Sequence, residues 1–159
     1  MSACGQTESD DTSNTNKSTK ESLIKVNRYL TKTENEDIER FIKRHKWEME
    51  ETGSGLRYMI FEEGSGPMAT KNQVVELEYE LSLITGDVVY SSADNGPQVF
   101  KIGHGGVETG LEEALLLMKK GDRAKLVIPS HLAHGFLGDD NKIPPRSTVI
   151  YDIKIINLK

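Results

Sequence analysis

The side chains here that could ligate a metal or attack a carbonyl are four histidines, one cysteine and the adjacent pair Ser91-Ser92. His131 and His134 lie near His104, Asp139 and Asp140, but their spacing matches no established zinc-ligand set, and loop histidines are most often solvated. Ser91 and Ser92 have no placed His and Asp partners, so a hydrolase triad is not expected. Gly103-His-Gly-Gly106 precedes a helical pattern but follows no βαβ unit, which argues against a phosphate cradle. No cofactor and no metal are expected. By residue type alone, Tyr79 and Tyr151 read as core tyrosines with bonded hydroxyls.

The clearest positioning element is Val107 to Pro129. Thr109 followed by Glu112 has capping-box spacing, Leu111, Leu115 and Met118 share a helical face, and Lys119, Lys120 and Gly121 form a helix end. The spacing predicts a helix of about three turns, then a turn at Asp122-Arg123 and a strand through Ile128, stopped by Pro129. Such a helix needs a sheet to cover its leucines. Period-two patterns supply one at Trp47 to Ile60, Val74 to Ile84, Val88 to Tyr90, Val99 to Ile102 and Val149 to Ile156. Residues 129 to 145 form an irregular stretch long enough to be functional. The class is α+β with a mostly antiparallel sheet.

With 159 residues, 36% of them hydrophobic, the chain holds one core and some excess. A net charge of −5 and the absence of basic clusters argue against a nucleic-acid partner. No run approaches the length of a spanning helix. Residues 1–20 contain ten Ser, Thr or Asn and are expected to be a disordered tether. Residues 21–46 have helical periodicity and should form two short helices hinged near Thr31 to Thr33, with Thr33 and Glu36 as a second capping box. Their apolar stripes could serve internal packing or a weak dimer, and a monomer or weak dimer is expected. A single folded domain should cover 47–159.

Ser2-Ala3-Cys4-Gly5 looks like the end of a bacterial lipobox, the signal for lipid attachment at Cys4. Met1 stands where Leu is usual and no apolar leader precedes it, so that reading requires a trimmed leader or a misplaced start. With a lipidated Cys4 the expected location is the periplasmic side of the cell envelope, with the anchor as the sole membrane contact. Otherwise it is the cytoplasm.

From about Gly55 to Lys159 the chain resembles the FKBP-type peptidyl-prolyl isomerase domain. The resemblance rests on Val75-Glu-Leu-Glu-Tyr79, Gly86-Asp-Val-Val-Tyr-Ser-Ser92, Gly110-Leu-Glu-Glu-Ala114, Met118-Lys-Lys-Gly-Asp-Arg-Ala-Lys125, Ile128-Pro-Ser-His-Leu-Ala-His-Gly135 and Ile143-Pro-Pro145, in that order. Together with Cys4 and the helical lead-in, the chain is also similar to the FKBP-type lipoproteins associated with gliding motility. The resemblance implies a half-barrel sheet of five or six antiparallel strands wrapped around one short helix, a proline pocket between them, and proline-containing polypeptides as partners.

It further implies site residues. Tyr79 matches the family's pocket tyrosine, Val107 the apolar residue at the helix start, Ile143 the loop isoleucine and Tyr151 the aromatic of the last strand. Glu108 falls where the family offers a backbone amide to the substrate carbonyl. Val89 stands for a wall phenylalanine, Tyr90 for an aspartate, Gln98 for an aromatic, Leu111 for the floor tryptophan, His134 for a hydrogen-bonding loop tyrosine and Asp139 for a loop histidine. Lost ring area weakens apolar contact with a prolyl ring, so reduced activity is expected, with a non-catalytic binding module as the alternative.

Overall fold

The computed structural model describes residues 12–159, with side chains from residue 16 onward. The chain forms two compact units, Met1–Glu36 and Asp37–Lys159. One helix, α1 (Thr12–His45), supplies the described part of the first unit and the opening turns of the second. It begins inside the segment 1–20 expected to be a disordered tether, and it has no hinge at Thr31 to Thr33. Once a helix exists, each added residue gains a hydrogen bond, and Ser, Thr and Asn cost at most about 0.7 kcal/mol against Ala. Thr31 and Thr33 donate their hydroxyls to the carbonyls of Asn27 and Tyr29, at 2.9 and 3.0 Å, so they sit within the helix and do not cap a new one. Glu36 pairs with Lys32 at 3.8 Å, not with Thr33. Leu23, Ile24, Val26 and Tyr29 are exposed on this stretch.

In the second unit, Ile38 and Phe41 on the last turns of α1 are buried against Val127 and Ile150. The unit therefore starts ten residues before Trp47, where the sequence reading placed the domain boundary. His45 lies tilted beside Phe41 and Trp47 meets it edge-on, with ring centroids 4.1 and 5.4 Å from it. The buried Arg57 guanidinium reaches Glu39 at 3.1 Å and the Gly55 carbonyl at 3.2 Å.

The remaining elements are β1 (Glu50–Glu51), β2 (Arg57–Glu62), β3 (Val74–Leu83), β4 (Val88–Ser91), α2 (Ser92–Asn95), β5 (Gln98–Lys101), α3 (Thr109–Leu115), β6 (Arg123–Ile128), a 3-10 turn (Ser130–Leu132) and β7 (Val149–Leu158). The strands form one antiparallel sheet in the order β1-β2-β6-β7-β3-β4, and β5 pairs with the first half of β3. The α+β class with an antiparallel sheet and a short internal helix holds. The count is seven strands, because two-residue β1 is added at one edge.

Successive residues of a strand face opposite sides, and β6 and β7 are buried on both. Leu126, Ile128, Tyr151 and Ile153 join the main core, where Leu111, Ala114 and Leu115 of α3 also lie, while Val127 and Ile150 meet α1. Gly110 permits the close packing of α3, since a Cβ there would stand 2.5 Å from Ile128 Cγ2. The helix is shorter than expected, seven residues. Thr109 and Glu112 do not form a capping box: Glu108 is the N-cap, and Glu112 accepts from the amides of Gly103 and Gly105 at 3.0 and 3.3 Å, fixing the loop before Val107.

Candidate functional site

One rung of the sheet sets out the site. Tyr90, Leu81, Tyr151 and Leu126 are paired in register across β4, β3, β7 and β6, so their side chains share one face. Tyr79, two residues before Leu81, lies on the same face of β3, with its ring centroid 6.3 Å from that of Tyr151. Above them the lead into α3 and the loop after the 3-10 turn close a cavity of about 400 Å³. Its walls are Tyr79, Leu81, Tyr90, Gln98, Gly106, Val107, Glu108, Ala133, His134, Ile143 and Tyr151.

The structure thus brings seven of the nine proposed site residues to one cavity. Val89 and Leu111 are not among its lining residues: both are buried in the main core, Leu111 completely. Leu111 packs as a core side chain, and Val89 contributes its carbonyl, which accepts from Lys142 Nζ at 3.0 Å. Leu81, Gly106 and Ala133 were missed. The two-residue period from Tyr79 pointed to Leu81, whereas Gly106 and Ala133 enter as chain neighbours of Val107 and His134. Cys4 lies outside the described residues.

The polar chemistry centres on Glu108. Its backbone caps α3, but its side chain makes no cap bond and is only 7% exposed. Its Oε1 accepts from the Tyr151 hydroxyl at 2.9 Å and lies 2.9 Å from His134 Nε2. Burial, then the neighbouring Glu108 charge and hydrogen bond, push the Tyr151 phenol well above its ordinary pKa, so it stays a neutral donor.

A second network shapes the loop. Asp139 accepts the amides of Asn141 and Ile143 at 3.0 and 2.7 Å and the hydroxyl of Tyr90. Partial burial raises its pKa, but those bonds and the nearby His134 outweigh it and hold the carboxyl down at about 2. Lys142 Nζ lies 5.1 Å from the Tyr90 ring centroid. Gly138 makes the loop tight, with φ +72° and space so small that a Cβ would meet the Ile143 carbonyl at 2.2 Å.

The histidines take separate partners. His131 contacts the Ser54 carbonyl at 2.9 Å and His104 the Asn72 side chain at 2.8 Å, while His134 contacts Glu108. Among the described residues no three His, Cys, Asp or Glu form a metal-holding group. Nor is any described helix long and apolar enough to cross a membrane.

The FKBP-type peptidyl-prolyl cis-trans isomerase family profile matches residues 66–156, a span holding every cavity-lining residue. The chain is 38% identical over 130 residues to the probable FKBP-type peptidyl-prolyl cis-trans isomerase FkpA of Neisseria meningitidis, covering 80% of this chain and 47% of that protein. It is 36% identical over 107 residues to FK506-binding protein 1A of Neurospora crassa, covering 66% of this chain and 89% of that one. The crystal structure of FkpA from Escherichia coli aligns with a TM-score of 0.71 at 32% identity, over 86% of this chain and 64% of that chain. The chain spans about half the length of the first curated relatives it matches, 47% and 52%. On sequence, sheet and helix alike, this chain belongs to the FKBP-type peptidyl-prolyl cis-trans isomerase family.

Proposed function

We propose that the cavity binds X-Pro segments of polypeptides and speeds their cis-trans exchange. Supporting this is a slot between α3 and the sheet, lined by Tyr79, Val107, Ile143 and Tyr151 and opening at the Glu108 backbone, the N-cap of α3. Rotation about a peptide bond faces a barrier of about 18–20 kcal/mol from lost resonance. A twisted amide is less charge-separated than a planar one, so a site that excludes water favours it. The Glu108 amide, donating to the substrate carbonyl, would orient the bond without a nucleophile. In this reading Tyr79, Val107, Ile143 and Tyr151 hold the proline, while Tyr90 and His134 form the rim.

Glu108 and His134 make the slot more polar than a prolyl ring prefers, so the rate is expected to be modest. The same feature favours a second reading, a non-catalytic module that grips proline-containing segments. The lipobox-like Cys4 supports an envelope setting and exported substrates, within a motility or secretion assembly.

The deciding test is the rate of X-Pro exchange in short peptides, with Tyr79→Ala as control. Acceleration lost in the variant supports the isomerase. Binding without acceleration, from folded protein, supports the module.

A further inference from the structure

Glu108 does something in the cavity that a proline-gripping slot does not require. Its carboxylate is nine-tenths buried, yet it faces no lysine or arginine. Both of its contacts, from Tyr151 and His134, end on Oε1, and Oε2 takes part in neither. Of the other charged groups nearby, Asp139 is a second carboxylate, and the Lys142 ammonium is turned to the Val89 carbonyl and the Tyr90 ring and makes no ion pair with Glu108. Glu108 therefore presents a carboxylate with no lysine or arginine partner to a partly dry site, where Coulomb attraction is much stronger than in water. The rings of Tyr79, Tyr90 and Tyr151 on its walls also tolerate a cation.

We propose that Glu108 sets the sequence preference of this site, favouring prolines flanked by a lysine or arginine and rejecting prolines flanked by a carboxylate. The inference rests on the X-Pro reading above and adds the class of substrate. Attraction to Oε2 selects the cation, and repulsion from the same buried charge excludes the anion, so one residue supplies both halves of the discrimination.

The test uses protected peptides with Lys, Leu or Glu immediately before or after the proline. Exchange rates and binding are both read by NMR, at low and high salt, for the wild-type chain, Glu108→Gln and Glu108→Asp. In the wild type at low salt, the lysine peptide is expected to exceed the glutamate peptide in kcat/KM by about tenfold or more in at least one frame. The gap should narrow at high salt, shrink to about threefold or less in Glu108→Gln, and survive in part in Glu108→Asp. Equal handling of the three peptides by the wild type, or an unchanged gap in Glu108→Gln, overturns the inference. The salt series reads the wild type alone and does not depend on the variants folding. Exchange of all peptides without charge order keeps the isomerase reading and removes this one. Charge-ordered binding without exchange does the reverse, and neither binding nor exchange removes both.

Discussion

The Tyr90 hydroxyl donates to the Asp139 carboxylate, joining edge strand β4 to the loop that places Ile143 in the cavity wall. Asp139 holds two amides of the same loop, so one side chain both shapes the loop and ties it to β4, where the bond from Lys142 to the Val89 carbonyl is a second tie. Tyr90→Phe removes the bond to Asp139 and the one that the same hydroxyl accepts from Asn141 Nδ2, leaves the loop's own amide bonds to Asp139, and should cost about 1 kcal/mol. It should also raise amide exchange at Ile143 more than in β7.

Because the Asp139 carboxyl titrates at about 2 in the folded chain, below an ordinary aspartate, its contribution is present above the unfolded pKa and lost as pH falls through the folded one. Protection of the Asn141 and Ile143 amides should thus be constant from neutral pH to about 4 and fall towards pH 2. In Asp139→Asn that pH dependence should vanish. Loss of protection already near pH 5 in the wild type would contradict this assignment.

Tyr151 works in the opposite direction. Its folded pKa lies above the unfolded value, so its stabilising effect is complete below about pH 10 and lost as pH rises further. An absorbance titration at alkaline pH should show one tyrosine ionising only with unfolding, and Tyr151→Phe should remove that component. The substitution also takes one of two donors from a buried carboxylate, which should cost about 1–3 kcal/mol in denaturant melts at pH 7.

The two stretches of α1 should respond differently to truncation. Phe41→Ala removes a ring that is 5% exposed and packed on Val127 and Ile150, at an expected cost of about 3–5 kcal/mol. Leu23→Ala touches a side chain that is 59% exposed and should change stability by less than about 0.5 kcal/mol. Equal losses in thermal melts would show that the exposed stretch is covered in solution.

Gly110→Ala tests the approach of α3 to β6. A methyl 2.5 Å from Ile128 Cγ2 forces one of the two elements to move, at about 1–3 kcal/mol despite the better helix propensity of alanine. A more stable variant would mean that Ile128 can rotate away.

What the sequence displayed was periodic or local. The alternation in Val74–Leu83 and Val149–Leu158 marked the long strands, and the Leu111, Leu115 and Met118 spacing marked the internal helix. The cavity was legible through the family strings, because Tyr79, Tyr90, His134 and Ile143 stand at fixed places within them. The Glu108 network was not, since its partners are 26 and 43 residues away and no pattern in a linear chain announces such a meeting. Helix boundaries failed for a related reason. Thr31, Thr33 and Glu112 all carry capping chemistry, and only the neighbouring turns decide whether it is used.

The shortness of the outermost strands bears on how this sheet avoids being extended by other chains. A long exposed edge strand is a template on which an extended polypeptide can add a strand. Here one border is two exposed glutamates, Glu50 and Glu51, too short to template a partner and repulsive to an acidic one. At the other, four-residue β4 and four-residue β5 divide the side of β3 between them, with α2 interrupting the line. Neither border offers a long straight row of free amides and carbonyls, so unfolded segments are steered away from β-augmentation.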